Sequence, residues 1–174
     1  EQWLKFTEPT VLAEAAKALP HDAHNEIWRV EKVLSGLGFE AADLEKRPLE
    51  LSGGYQVRLN LAKVLVGDFQ LLLLDEPSNY LDITSIRWLE RFLNQWKSEL
   101  MLITHDRSFM DKVITHTLAI HRRRAKKIQG DTTKIYEQII QEEEIYEKTR
   151  MNDDRKRREV ERRSRQMRLA SRGP

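Results

Sequence analysis

Three short runs in this 174-residue chain hold side chains whose types and spacing suit phosphoryl chemistry. Asp75 and Glu76 directly follow the apolar run "LLLL" (71–74), which puts two carboxylates at one strand end. The first suits a hard Mg²⁺, held largely through water. The second suits positioning or deprotonating an attacking water. His105 ends a second apolar run, in "LITHD", where an imidazole could donate to a phosphate oxygen or to that water. Ser52, Gly53 and Gly54 stand just before a helical pattern, where two glycines let backbone N–H groups approach an anion and a hydroxyl adds a donor. Each run also has a plainer reading: Asp-Glu-Pro as a strand cap, a structural histidine, and an ordinary helix N-cap. The remaining histidines, His21, His24, His116 and His121, carry only the plain reading; the H-x-x-H spacing at 21–24 has no third ligand nearby.

These residues need a frame. Residues 71–74, short and wholly apolar, read as a strand buried on both faces of a parallel sheet, so Asp75 and Glu76 would lie at its carboxyl edge, where open α/β folds bind ligands. "LMLIT" (100–104) reads as the next parallel strand, with a crossover helix over 84–96 capped by Asp82 or Thr84. The pattern predicts helices over 10–19 and 25–37, a loop from Leu51 to Gly54, and a helix over 55–66 with Val57, Leu61, Val64 and Leu65 on one face. A short helix over 107–113 and a hairpin turning at His121–Arg124 follow. From Thr132 to Leu169 there is no Gly or Pro, which predicts one or two long helices; a single rod would reach about 57 Å.

Composition narrows the class. Charged residues make up 33% of the chain, there is no cysteine, and no apolar run approaches the roughly 18–20 residues that span a bilayer. A cytoplasmic address is the expectation. The net charge of +2 hides a gradient: residues 121–174 hold 17 basic and 10 acidic side chains, while residues 1–50 hold 6 and 10. The basic end calls for an anionic partner.

Taken in order, L-S-G-G, a helix, four apolar residues with D-E-P, an L-D five residues past Pro77, and apolar-T-H-D resemble the nucleotide-binding domain of ATP-binding-cassette (ABC) proteins, closely over residues 51–113. The resemblance implies an incomplete P-loop-NTPase-like α/β sandwich with a helical subdomain and a long helical C-terminal extension. It implies ATP and Mg²⁺ as cofactors. Ser52, Gly53 and Gly54 would be the signature loop, Asp75 the Walker B metal carboxylate, Glu76 the catalytic glutamate, Asn79 to Asp82 the D-loop, and His105 the switch histidine. Gln2 falls where the Q-loop glutamine would. "LDEPSNYLD", "ITHDRSFMD" and "GDTTKIYEQ" look most like the ABC-F family, whose chains hold two tandem cassettes, a helical linker and no membrane domain, and which act on ribosomes in translation, some of them in antibiotic resistance.

No G-x-x-x-x-G-K-[S/T] loop occurs in the sequence, and the first residue is Glu1 rather than Met. The expectation is therefore a piece of a first ABC-F cassette: a helical subdomain (1–50), an ATPase core (51–131) and the start of a basic linker (132–174). Alone it would bind ATP weakly and hydrolyse little. Partners would be the second cassette and the ribosome, its RNA and the P-site transfer RNA. RNA contacts are expected from Arg155, Lys156, Arg157, Arg158, Arg162, Arg163, Arg165 and Arg168. Residues 134–150 instead read as a solvated helix, with Glu142, Glu143 and Glu144 near Lys148 and Arg150. Two other functions stay open: an ATPase subunit of a membrane transporter, and a non-catalytic RNA-binding module.

Overall fold

A computed structural model describes residues 5–23 and 25–170, with side chains described as far as Glu161. Gln2 and His24 lie outside the described residues, as do the side chains of Arg162, Arg163, Arg165 and Arg168. The chain divides between Ile114 and Thr115 into two compact units.

In the first unit, α1 (Val11–Ala16) starts at Thr10, whose hydroxyl accepts from the Ala13 N–H. Next come α2 (Ile27–Gly36) and α3 (Ala41–Leu44), then α4 (Gly53–Val66). The centre of the unit is α4, which packs on both α1 and α2. Its buried stripe is Leu59, Ala62, Leu65 and Val66. The expected face is thus rotated: Leu65 is buried, but Val57 and Leu61 are only half-buried and Val64 is exposed. Contact with helices on two sides selects the side with the small Ala62, which lets neighbours approach closely.

The parallel strands are β1 (Leu71–Asp75) and β2 (Glu99–Ile103), joined through α5 (Ile83–Asn94) and paired in register from Leu71↔Glu99 to Asp75↔Ile103. Asp82 caps α5, accepting from the Thr84 and Ser85 N–H groups. A short α6 (Arg107–Val113) follows, capped by Asp106. One expectation fails here. Leu72 and Leu74 enter the core, but Leu71 and Leu73 are 48% and 62% exposed, and Met101 and Ile103 on the same face of β2 are 48% and 58% exposed. A parallel sheet needs cover on both faces, and within the first unit the described helices supply it on one.

A buried ion pair ties α1 to α4. Glu14 is almost wholly buried and accepts from the N–H groups of Thr7 (2.9 Å) and Glu8 (3.0 Å) and from Lys63 Nζ. Burial pushes its carboxyl up, but the Lys63 hydrogen bond and the two backbone donors outweigh that and leave it below the usual carboxylate range.

The second unit pairs β3 (His116–His121) with β4 (Arg124–Gln129) in an antiparallel hairpin and continues into one helix, α7 (Thr132–Ala170). The two-residue turn holds Arg122 and Arg123 in left-handed backbone (φ 48° and 61°), the geometry that matches hairpin twist. Among the described side chains of α7, those of the first turns form its core, built on Ile135 and Thr132, with Ile139 half-buried. The acidic triplet behaves differently from the sequence expectation. Glu143 meets His121 Nε2 (2.8 Å) and Arg122, and Glu142 meets Lys126, so these carboxylates face the basic hairpin. The Arg122 guanidinium also stacks 3.4 Å above the Tyr146 ring. Cross-element charge complementarity wins because the hairpin fixes its cations where the helix passes. Beyond this clamp α7 is exposed through Glu161, Met151 and Val160 included.

Replacing Glu14 by Gln leaves the Lys63 ammonium without its carboxylate. Because Lys63 keeps partial access to solvent, the expected loss is about 2 kcal/mol rather than the full cost of a buried unpaired charge. The depressed Glu14 value adds a pH signature: its contribution is complete above its ordinary value near 4.5 and fades as pH falls through the lower folded value. Urea melts of both chains at pH 7 and pH 3.5 check this; the gap between them should narrow at the lower pH.

Candidate functional site

The in-register pairing of β1 and β2 sets Asp75 beside Ile103 and delivers the next residues of both strands to one edge. Glu76 turns there into left-handed backbone (φ 49°), a conformation that costs a non-glycine residue about 1–3 kcal/mol and persists only where neighbours enforce it. The enforcing contacts are visible. The Glu76 N–H donates to the Ile103 carbonyl at 2.8 Å. Its carboxylate accepts from Thr104 Oγ1 (3.2 Å), the His105 N–H (3.1 Å) and His105 Nδ1 (2.9 Å). Thr104 is buried and also accepts from the Asp106 N–H at 3.1 Å, so its hydroxyl is fixed from both sides.

Glu76 and His105 therefore form a dyad. The hydrogen bond from His105 holds the Glu76 carboxyl below its usual range, and the Glu76 carboxylate raises the imidazole. His105 is 78% exposed and commits Nδ1 to Glu76, which leaves Nε2 to address an incoming group. Asp75 is exposed at the strand end, and its side chain makes no hydrogen bond or ion pair among the described residues. No cluster of three or more metal-ligating side chains exists among those residues. That donor set fits Mg²⁺, which takes one or two carboxylates with phosphate and water oxygens rather than an all-protein cage.

Ser52 is the N-cap of α4, its hydroxyl accepting from the Tyr55 N–H at 3.4 Å. The expected Leu51–Gly54 loop is shorter than the sequence implied: Gly53 and Gly54 already belong to the first helical turn. Their N–H groups have no intrahelical carbonyl and point out along the positive end of the helix. A Cβ on Gly53 would meet nothing within 4 Å, so the fold itself does not require a glycine there. At Gly54 the nearest neighbour is the Tyr80 side chain, 3.7 Å from a built Cβ.

Within the turn 76–82, Asn79 is exposed and its N–H donates to the Glu76 carbonyl at 3.1 Å. Tyr80 is a second left-handed residue (φ 64°). Asp82 spends both oxygens locally, on the α5 cap, on Ser85 Oγ and on Arg58. The structure thus gathers Asp75, Glu76 and His105 at one edge and puts Ser52–Gly54 at the start of α4. Sequence reasoning missed two residues. Thr104 sits beside His105 in the quoted run and reveals its role only when Glu76 folds back onto it. Arg58 lies four residues past Gly54 with nothing in its spacing to mark it.

Among the described residues no helix is long and apolar enough to cross a membrane. Arg155, Lys156, Arg157 and Arg158 are all exposed on α7.

The fold is that of the ABC ATPase cassette. Residues 4–79 match the family described as ABC transporter. Solved cassettes share the fold. An ATP-binding subunit of an ABC transporter superposes with a TM-score of 0.62 at 21% identity, covering 78% of this chain and 58% of that one. A dimeric bacterial ABC transporter cassette gives 0.56 at 18%, covering 74% and 60%. Relatives in sequence are more specific. The chain is 43% identical over 103 residues to "Probable ATP-binding protein YheS" of Haemophilus influenzae, covering 59% of this chain and 16% of that protein. It is 38% identical over 126 residues to human "ATP-binding cassette sub-family F member 3", covering 72% and 18%. Over residues 4–79 it carries an ABC transporter family domain, and its relatives in sequence include ATP-binding-cassette proteins of sub-family F. The chain spans less than a fifth of the length of these two relatives.

The dyad makes a direct prediction. In an NMR titration His105 should titrate above its ordinary value of about 6.5 and return toward it in Glu76→Gln. The sign follows: the ion pair is complete below that ordinary value and lost as pH rises through the raised one. An unchanged midpoint in the variant would contradict the pairing.

Proposed function

We propose that this chain is part of a cytoplasmic ABC-F ATPase that couples ATP binding and hydrolysis to ribosome binding and so regulates translation. The observation that carries the ATPase reading is the edge formed by Asp75, Glu76 and His105. Asp75 would hold Mg²⁺ through water and phosphate oxygens. Glu76, kept ionised by its donors, would accept a proton from the attacking water, and His105 would donate from Nε2 to the γ-phosphate. The metal supplies charge neutralisation on the phosphates when bound.

Ser52, Gly53 and Gly54 would face the nucleotide of a second cassette, with Asn79 and Asp82 in the turn beside that interface. The open space at Gly53 supports this, since an approaching phosphate is a reason for a glycine that the fold does not need. Gln2 would join the chain's own nucleotide. The domain plan is a signature-side helical part (1–50), a core (51–131) and a basic linker (132–174). The linker would approach ribosomal RNA or the P-site transfer RNA through Arg155, Lys156, Arg157, Arg158, Arg162, Arg163, Arg165 and Arg168. Residues 150–174 carry 10 basic and 4 acidic side chains, which supports a polyanion as partner.

A phosphate loop with its lysine normally supplies most of the grip on a nucleotide, and no such loop is in this sequence. Calorimetry of this chain with Mg-ATP should therefore show binding no tighter than about millimolar, a free energy of about −4 kcal/mol; micromolar binding would contradict the proposal. For the linker, reversing Arg155, Lys156, Arg157 and Arg158 to Glu should weaken RNA binding at least tenfold and flatten its salt dependence by up to about three units of slope. Equal binding by the two chains at all salt concentrations would remove the RNA role.

A further inference from the structure

One side chain touches both the signature-side helix and the turn that follows the acidic edge. Arg58, one turn into α4, is only 11% exposed. Its Nε donates to the Tyr80 carbonyl at 2.7 Å, and Nη1 donates to the Leu37 carbonyl at 3.0 Å and to Asp82 Oδ2 at 3.2 Å. Its guanidinium carbon lies 4.7 Å from the centre of the Tyr55 ring. These partners come from three places: the C-terminal end of α2, the 76–82 turn, and the first turn of α4 itself.

The geometry exceeds what an ion pair needs. Asp82 already caps α5 through two backbone N–H groups, so holding that helix does not require Arg58. The donation to the Tyr80 carbonyl does something different: it fixes one of the two left-handed residues of the 76–82 turn, the other being Glu76. A strained turn held at Glu76 by the β2 end and at Tyr80 by a side chain of α4 is a place where a small shift at one anchor becomes a change in backbone. The Tyr80 anchor rides on α4, four and five residues past the N–H groups of Gly54 and Gly53. A planar guanidinium, with donors in a fixed fork, passes movement on more stiffly than a flexible ammonium would.

We propose that Arg58 is a positioning residue that couples the Ser52–Gly54 helix start to the 76–82 turn. A phosphate seated on the signature side would thereby bias the placement of the chain's own Glu76, so the two nucleotide sites served by one cassette communicate through this side chain. The functional meaning rests on the reading of Ser52–Gly54 as phosphate-facing; the coupling itself does not.

The test is amide hydrogen exchange on this chain without nucleotide, so its failure and the failure of the phosphate-facing reading are separable. Ser52→Ala removes the cap of α4 and loosens its first turn. With Arg58 present, that change should speed exchange at the Asn79 and Leu81 amides, which donate to the Glu76 and Ser78 carbonyls, by about threefold or more. In Arg58→Gln both amides should exchange faster from the start, and Ser52→Ala should add nothing. Arg58→Lys should behave like Arg58→Gln while retaining the melting temperature, and it serves alone should the Gln variant not fold. Three results overturn the proposal: no effect of Ser52→Ala on these amides, the same effect in the Arg58→Gln background, which would route it through the Gly54–Tyr80 contact, or full retention in Arg58→Lys.

Discussion

Everything chemical in this chain depends on the pairing of β1 with β2. Two parallel strands in register bring Asp75 opposite Ile103, and the chain beyond each then has one place to go. Glu76 donates its N–H back to Ile103 and swings its carboxylate onto Thr104 and His105. A slip of one residue would turn every β1 side chain to the other face. Leu72 and Leu74 oppose that slip, because both belong to the hydrophobic cluster of the first unit. The core thus sets the register, and the register sets the dyad.

The second constraint is the seat of α4. Its buried stripe presses on α1 and α2, the Glu14–Lys63 pair pins it on one side, and Arg58 reaches off it on another. The exposed start of this helix, with its unpaired N–H groups, is therefore mounted on the best-packed element of the unit. Precision at a recognition surface comes from such mounting rather than from the surface residues themselves.

Much of this was legible in the sequence. The motif order and the apolar runs located β1, β2, the hairpin and the long helix, and they named Asp75, Glu76 and His105 before any geometry. What escaped depended on partners far along the chain. The stripe of α4 follows from two helices packing at once, which the periodicity of residues 55–66 alone does not encode. Arg58 acts through backbone carbonyls at Leu37 and Tyr80, and carbonyls leave no mark in side-chain spacing. Glu142 and Glu143 looked like partners for cations one turn along α7, yet the hairpin supplied nearer ones. The bare face of Leu71, Leu73, Met101 and Ile103 could not be foreseen from "LLLL", which reads the same whether one or both faces are covered.

The central claim is that Glu76, held in strained backbone by Thr104 and His105, is the proton acceptor of an ATP-hydrolysing edge. Single-turnover hydrolysis tests it most directly, in the protein carrying this segment together with an intact phosphate loop. Glu76→Gln keeps the size of the side chain and one oxygen to accept from the His105 N–H, but removes the base. The expected result is retained ATP binding with the rate of phosphate release down by about 100-fold or more. Release at the unaltered rate, or loss of binding in step with loss of hydrolysis, would contradict the account.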